Sequence, residues 1–265
     1  MITKNLDKIQ KKLTCIDTHA HLFMLKKDEA AVIKQAREAG LSAIINVAVD
    51  LDSAKEALRC SKTYPGFVYA TCGIHPLYAE RFDQLEALNV FAVENQKDIV
   101  AIGEAGLDYK YGKDNKADQL RVLEAQFELA EALKKPIIIH NRFTNEDVAA
   151  MMNRYPKVKS VIHCFVESVD FLETITHGNY FISFTGIITN RLTKPTEEVI
   201  QCFPLERMMI ETDCPYLTPK VLGRVENEPA YVPEVARVLS DLRAEPIERI
   251  SEVTTQNARA FFGIA

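Results

Sequence analysis

The 265-residue chain has no CxxC pair among its six cysteines, Cys15, Cys60, Cys72, Cys164, Cys202 and Cys214. Most of them interrupt apolar runs such as VIHCF and YATCG. Their scatter excludes a disulfide-built miniprotein and suits reduced, buried thiols in a cytoplasmic protein. A basic excess is also missing, since 32 Lys and Arg face 37 Asp and Glu for a formal net charge of -5. That balance excludes a protein that coats nucleic acid by bulk positive charge and leaves room only for a local basic patch. No apolar run approaches the ~20 residues of a membrane helix. The opening MITKNLDKIQKKLTC is basic and amphipathic but lacks the continuous apolar core of a signal peptide, so no export is expected. No Pro-, Gly- or Ser-rich linker divides the chain, which points to one domain over residues 14–265 behind an N-terminal extension, residues 1–13.

What the chain does contain is an alternation of short β-branched runs and longer stretches of helical period. Strands are expected at Cys15–Thr18, Ala43–Val49, Phe67–Gly73, Ile99–Glu104, Ile137–His140, Ser160–Cys164, Tyr180–Thr185 and Met208–Thr212. These runs are apolar at nearly every position, as strands buried on both faces must be. Helical patterns lie between them, and Ala230–Leu239 and Ile247–Phe262 add further helices at the C-terminal end. Eight strands alternating with helices predict an α/β fold, a single (β/α)8 TIM-like barrel with extra C-terminal helices. An open doubly wound sheet is the competing fold.

Polar residues stand where the apolar strands end. They are Asp17-Thr18-His19-Ala20-His21 after the first run, Gly103-Glu104 after the fourth, His140 after the fifth, His163 after the sixth and Glu211-Thr212-Asp213 after the eighth. In a barrel those ends share the catalytic rim. The chain has only six histidines, and four of them (His19, His21, His140, His163) fall at such ends. Imidazole and carboxylate together are the donors of Zn²⁺, Mn²⁺, Fe²⁺ or Co²⁺ sites. Six protein donors exceed what one catalytic ion takes, so two ions sharing a bridging carboxylate fit the count. Of the two remaining histidines, His75 in Gly73-Ile74-His75-Pro76 faces the rim as a candidate substrate contact, and His177 sits before Gly178 as a structural residue. Asp213 is placed to hold a metal and take the proton of the attacking water, or else to cap the following segment.

The segments IDTHAHL, CGIHP, AIGEAGLDY, IIIHNR, VIHCF, ISFTGIIT, LERMMIETDCPYLTP, NEPAYV and TTQNARAFFG, in this order, resemble the TatD-type deoxyribonucleases, metal-dependent hydrolases on the amidohydrolase-superfamily barrel. The resemblance implies metal ligation by His19, His21, Glu104, His140, His163 and Asp213, with Glu104 bridging. It implies hydrolysis of DNA phosphodiesters as a 3′-to-5′ exonuclease on single-stranded ends, with two divalent ions. Mg²⁺ or Mn²⁺ would be the family's choice, whereas four imidazoles favour Zn²⁺ or Mn²⁺. The chain departs from the pattern in its N-terminal extension, in Ala105, and in Gly223-Arg224-Val225-Glu226-Asn227-Glu228-Pro229, one residue longer than usual before Asn-Glu-Pro.

Phosphate oxygens need donors, and His75, Arg142 and Arg224 are the candidates for substrate binding, with Arg191, Lys194 and Lys220 on neighbouring loops. Tyr109, Tyr111 and Tyr216 are candidates for stacking on bases. Two other functions compete: a hydrolase of amides or esters with the same centre, and a non-catalytic scaffold in a DNA-degrading complex. The first often carries a carboxylated lysine where this chain has Glu104, and the second predicts a degenerate ligand set, which this is not.

Overall fold

The computed structural model describes residues 13–265. Its eight strands are β1 (Cys15–Ala20), β2 (Leu41–Asn46), β3 (Val68–Cys72), β4 (Ile99–Asp108), β5 (Ile137–Arg142), β6 (Ser160–Ile162), β7 (Tyr180–Phe184) and β8 (Met208–Ile210). Each pairs in parallel with the next, in sequence order. The helices are α1 (Glu29–Glu38), α2 (Leu51–Thr63), α3 (Leu85–Glu94), α4 (Lys116–Leu133), α5 (Asn145–Arg154), α6 (Val169–Glu173), α7 (Lys194–Cys202), α8 (Val232–Arg243) and α9 (Ile247–Phe262). The expected (β/α)8 barrel is thus the observed one, with α9 as the additional C-terminal helix. The N-terminal extension lies, apart from Leu13, outside the described residues.

Local chemistry explains where the helices begin. Asp50 and Ser53 cap α2 reciprocally, each side chain taking up a backbone N–H of the other's end. Thr193 caps α7, and Pro195 occupies its first turn, where a missing N–H costs nothing. Side chains then alternate along the strands. Ile44 packs against Val32, Ile33 and Ala36 of α1, while its neighbours Ala43 and Ile45 face inward. Inward residues from several strands, Ile16, Ala101, Ile138, Val161 and Met209, form one cluster with Phe261 and Phe262 of α9. The last helix therefore plugs the barrel at the end opposite the polar rim.

The last and first strands close the barrel mainly at the rim. Beyond β8 the Asp213 N–H donates to the His19 carbonyl at 2.8 Å, and the His21 N–H donates to the Cys214 carbonyl at 3.0 Å. Asp17 adds a side-chain tie, accepting the Thr212 N–H at 2.9 Å and the Thr212 hydroxyl. Every strand ends one or a few residues away from its expected bound, and three of these differences have a visible cause. β6 and β8 end at Ile162 and Ile210 because Cys164 (φ 49°) and Asp213 (φ 56°) turn the chain out of the extended form. β4 instead runs past Glu104 to Asp108, because Gly106 lets it close on β5; a Cβ there would lie 2.1 Å from the His140 carbonyl oxygen. Among the described residues no helix is long and apolar enough to cross a membrane.

All six cysteines are free, and only Cys202 is exposed. Burial pushes the Cys60, Cys72 and Cys164 thiols up to about 12, and raises Cys15 and Cys214 as well. A thiol reagent at neutral pH should modify one residue of the native protein quickly, Cys202, and the other five only after unfolding. Peptide mapping that finds a second site labelled at the same rate would contradict this burial.

Candidate metal centre

The inward face that carries the apolar cluster continues upward into the polar rim. Two residues beyond Ile138 on the same face stands His140; two beyond Val161, His163; two beyond Met209, Glu211. The histidines thus stand one step above the core layer, held by the strands that form it. Glu104 does not follow from the alternation, since Ala101 faces inward and the simple period would bring in Gly103. The β4–β5 pairing shifts register between Ile102 and Ala105, and this irregularity presents Glu104 to the centre. A similar shift in β1 between Asp17 and Ala20 accompanies the inward placement of His19 and His21.

Glu104 divides its two oxygens between two sets of rings. Oε2 lies 3.3 Å from His19 Nε2 and 3.6 Å from His21 Nε2. Oε1 lies 2.8 Å from His140 Nδ1, 2.9 Å from His163 Nε2 and 3.5 Å from His75 Nε2. Asp213 completes the first set, with Oδ1 3.4 Å from His21 Nε2 and 3.9 Å from His19 Nε2. Three triads have ligand atoms within 4.8 Å of one another: His19, His21 and Asp213; His19, Glu104 and His163; His75, Glu104 and His140. The donors suit a metal. Ring nitrogens approach in pairs, His19 to His21 at 3.3 Å and His140 to His163 at 3.2 Å. Around a tetrahedral ion with nitrogen ligands at their usual length, neighbouring donors stand about 3.3 Å apart.

All six candidate ligands thus meet in one cluster, and His75, expected only as a substrate contact, joins them. Its ring lies 4.6 Å from that of His140, edge to face. Burial dominates its titration and lowers it to about 3, so the ring is neutral at physiological pH. Burial alone would raise the Glu104 carboxyl, yet His75, His163 and His19 together with the His140 bond hold it well below the carboxylate range. Asp213 behaves likewise, burial being overcome by the bond from His21 and the charges of His19 and His163. Burial lowers His19, whereas for His163 the Glu104 and Glu211 carboxylates prevail over burial and raise the ring well above its ordinary value. His21 and His140 are raised too, against burial, by Asp213 with Glu104 and by Asp108 with Glu104 respectively.

Groups behind the cluster orient it. His21 Nδ1 meets the Val47 carbonyl at 2.8 Å, which leaves Nε2 to face the centre. Asp108 Oδ2 lies 3.3 Å from His140 Nε2, and Glu211 Oε1 lies 3.4 Å from His163 Nδ1. Glu211 also accepts the Cys164 N–H at 2.8 Å and the Thr18 hydroxyl at 3.3 Å, tying three strand ends together. Neither Asp108 nor Glu211 stood among the expected site residues. The signal was present in GLDY and in MIETD as acidic residues at the ends of β4 and β8, since a carboxylate is a usual partner of the second nitrogen of a metal-bound imidazole.

The expected substrate contacts divide by exposure. Arg142 is exposed at the end of β5, its guanidinium 4.9 Å from the centre of the Tyr111 ring. Arg224 is exposed, while Asn227 beyond it is buried and donates to the Thr212 carbonyl at 2.8 Å. Arg191, Lys194 and Lys220 are all exposed, Arg191 after β7, Lys194 at the start of α7 and Lys220 after β8. Tyr109 is engaged in packing, its hydroxyl bonded to Asp147 at 2.7 Å beneath Lys116, whereas Tyr111 and Tyr216 are open to solvent. His177 sits away from the cluster, against the Met152 carbonyl. Asp213 caps no helix, since its side chain is turned to His21.

The sequence profile described as TatD related DNase matches residues 16–263. The chain belongs to the TatD-related DNase family. It is 35% identical over 252 residues to an uncharacterized metal-dependent hydrolase, YabD, of Bacillus subtilis, covering 94% of this chain and 98% of that one. A 3′-5′ ssDNA/RNA exonuclease, TatD, of Edwardsiella piscicida is 32% identical over 90% of this chain and 94% of its own length. The crystal structure of YjjV, a TatD homologue from Escherichia coli, superposes with a TM-score of 0.88 at 30% identity, covering 95% of this chain and 98% of the other. The TatD-family barrel is thus a metal-dependent hydrolase of ester bonds with clustered His, Glu and Asp donors.

Because His21, His140 and His163 are raised, they carry protons at the acidic end of the neutral range when no metal is bound, and metal must displace them. Binding should therefore release protons and strengthen as pH rises, which titration calorimetry in buffers of different ionisation enthalpy will measure. Glu104→Ala should reduce bound metal by at least tenfold with the circular dichroism unchanged. Proton uptake on binding, or full metal content in that variant, would refute the assignment.

Proposed function

We propose that the chain is a nuclease that holds two divalent ions and removes nucleotides from the 3′ end of single-stranded DNA. The observation that carries this reading is the division of the Glu104 carboxylate between two sets of imidazoles, 3.3 and 3.6 Å on one side and 2.8 to 3.5 Å on the other. A bridging carboxylate between His19, His21 and Asp213 on one side and His140 and His163 on the other has the form of a two-ion hydrolase. His75 stands beside the second set. Zn²⁺ and Mn²⁺ suit so many imidazoles better than Mg²⁺ does. Divalent ions held there supply an acidified water and positive charge facing the phosphate.

The chain's own residues do the rest. Asp213 is kept ionised by its histidine neighbours and is part exposed, its side chain 15% accessible, so it can take the proton of the attacking water. As water oxygen bonds to phosphorus, the bond to the 3′-oxygen of the penultimate nucleotide breaks and a 5′-nucleotide leaves. His75 is neutral, accepts the Leu77 N–H on Nδ1 at 3.1 Å and turns Nε2 toward Glu104, so it borders the centre, while Arg142 and Arg224 offer charge farther along the strand. The exonuclease named from Edwardsiella piscicida and the 32% identity to it support the substrate class. Six free thiols suit a reducing compartment such as the cytoplasm.

End-labelled single-stranded DNA incubated with metal-loaded protein should shorten from its 3′ end, and excess chelator should stop it. Asp213→Asn should lower kcat by about 10²- to 10⁴-fold, the usual worth of a positioned base. Undiminished DNA together with turnover of simple carboxylic esters would replace the nuclease by an esterase.

A further inference from the structure

Strain and exposed apolar surface coincide at one residue of the rim. Among the described residues six non-glycine residues have positive φ. Lys134 and Ala244 end α4 and α8, where a left-handed residue is the ordinary way to stop a helix. The other four, Phe143, Cys164, Asp213 and Leu217, lie on loops that follow β5, β6 and β8. Cys164 and Asp213 have visible reasons, since their N–H groups bond to Glu211 and to the His19 carbonyl. Phe143 has none of this kind. It holds φ 59° and is 73% exposed, and among the described residues no other ring stands against its own.

An aromatic residue in that conformation is strained, and Asn or Gly would hold the same turn with less strain. The loop itself is well anchored. Thr144 is buried next to Phe143, its hydroxyl bonded to Asn141, and Tyr109 donates its N–H to the Arg142 carbonyl at 3.0 Å. The ring is therefore presented by a fixed backbone, three residues beyond His140. Beside it Arg142 lies over the ring of Tyr111, itself 63% exposed. Of the eight exposed large apolar side chains among the described residues, six stand on rim loops: Tyr111, Phe143, Val166, Tyr216, Val221 and Val225.

We propose that Phe143, together with the Arg142–Tyr111 stack, is a platform for a nucleobase of the strand whose phosphate lies at the metal centre. This rests on the nuclease reading and deepens it. Every base has a π-face, so such a platform holds single strands without reading their sequence, while paired and stacked bases of a duplex do not offer theirs. A guanidinium over an exposed ring also sets positive charge next to the phosphates that flank the stacked base. The platform therefore makes the enzyme prefer unpaired ends.

The test compares the metal-loaded full-length protein with Phe143→Ala, Phe143→Leu, Phe143→Asn and Phe143→Tyr. The substrates are a single-stranded oligonucleotide and the same strand carrying abasic residues at its last positions. Loss of the ring should raise KM for the base-bearing strand by roughly five- to hundredfold, the range for truncating a stacked aromatic. KM for the abasic strand should not move, Phe143→Tyr should keep the wild-type values, and kcat should change little throughout. Phe143→Asn should melt at or above the wild-type temperature while losing affinity, which a merely structural ring would not do. If the Ala, Leu and Asn variants keep the wild-type ratio between the two substrates, the platform is overturned and the nuclease stands. If the wild type degrades neither strand, the nuclease reading falls and the platform with it.

Discussion

A single buried carboxylate organises the molecule's chemistry. Among the described residues no lysine or arginine side chain contacts Glu104; it is surrounded by imidazoles gathered from four other strand ends. Burial of an ion so deep is costly unless it is compensated. The compensation requires that the barrel be closed, because the rings come from segments that meet nowhere else. Fold and centre therefore depend on each other, and the register shift in β4 that brings Glu104 inward is part of the site as much as of the sheet.

Around that carboxylate the structure separates two tasks. The strands fix donor atoms within a few ångströms of one another, with Val47, Asp108 and Glu211 holding the rings from behind. The loops that follow the strands carry exposed arginines, open aromatic rings and backbone in unfavourable conformations. Stability sits low in the barrel, in the layer plugged by Phe261 and Phe262. Strain sits at the rim, where a ligand can make use of it.

Much of this was legible in the sequence. Apolar runs that end in a histidine or carboxylate are enough to place His140 and His163, because a strict two-residue period carries Ile138 and Val161 to them. The period fails at Glu104, whose inward direction depends on a register shift that no local pattern encodes. It also says nothing of depth, so His75 read as a rim residue although its ring packs on His140. Glu211 and Asp108 were visible as acidic residues, but their role lies in distances to rings on other strands. Phe143 gave no signal, since exposure and backbone conformation of a single loop residue are set by the closed fold and not by its neighbours in sequence.

The seam between the first and last strands carries a consequence for the life of the chain. His19 and His21 are made well before Asp213, and the hydrogen bonds that join β1 to the segment after β8 run through these same residues. A nascent chain can build seven strands and still lack both the last carboxylate and the closure that aligns the first two histidines. Closure of the barrel and completion of the ligand set are therefore one event, since the same residues carry both.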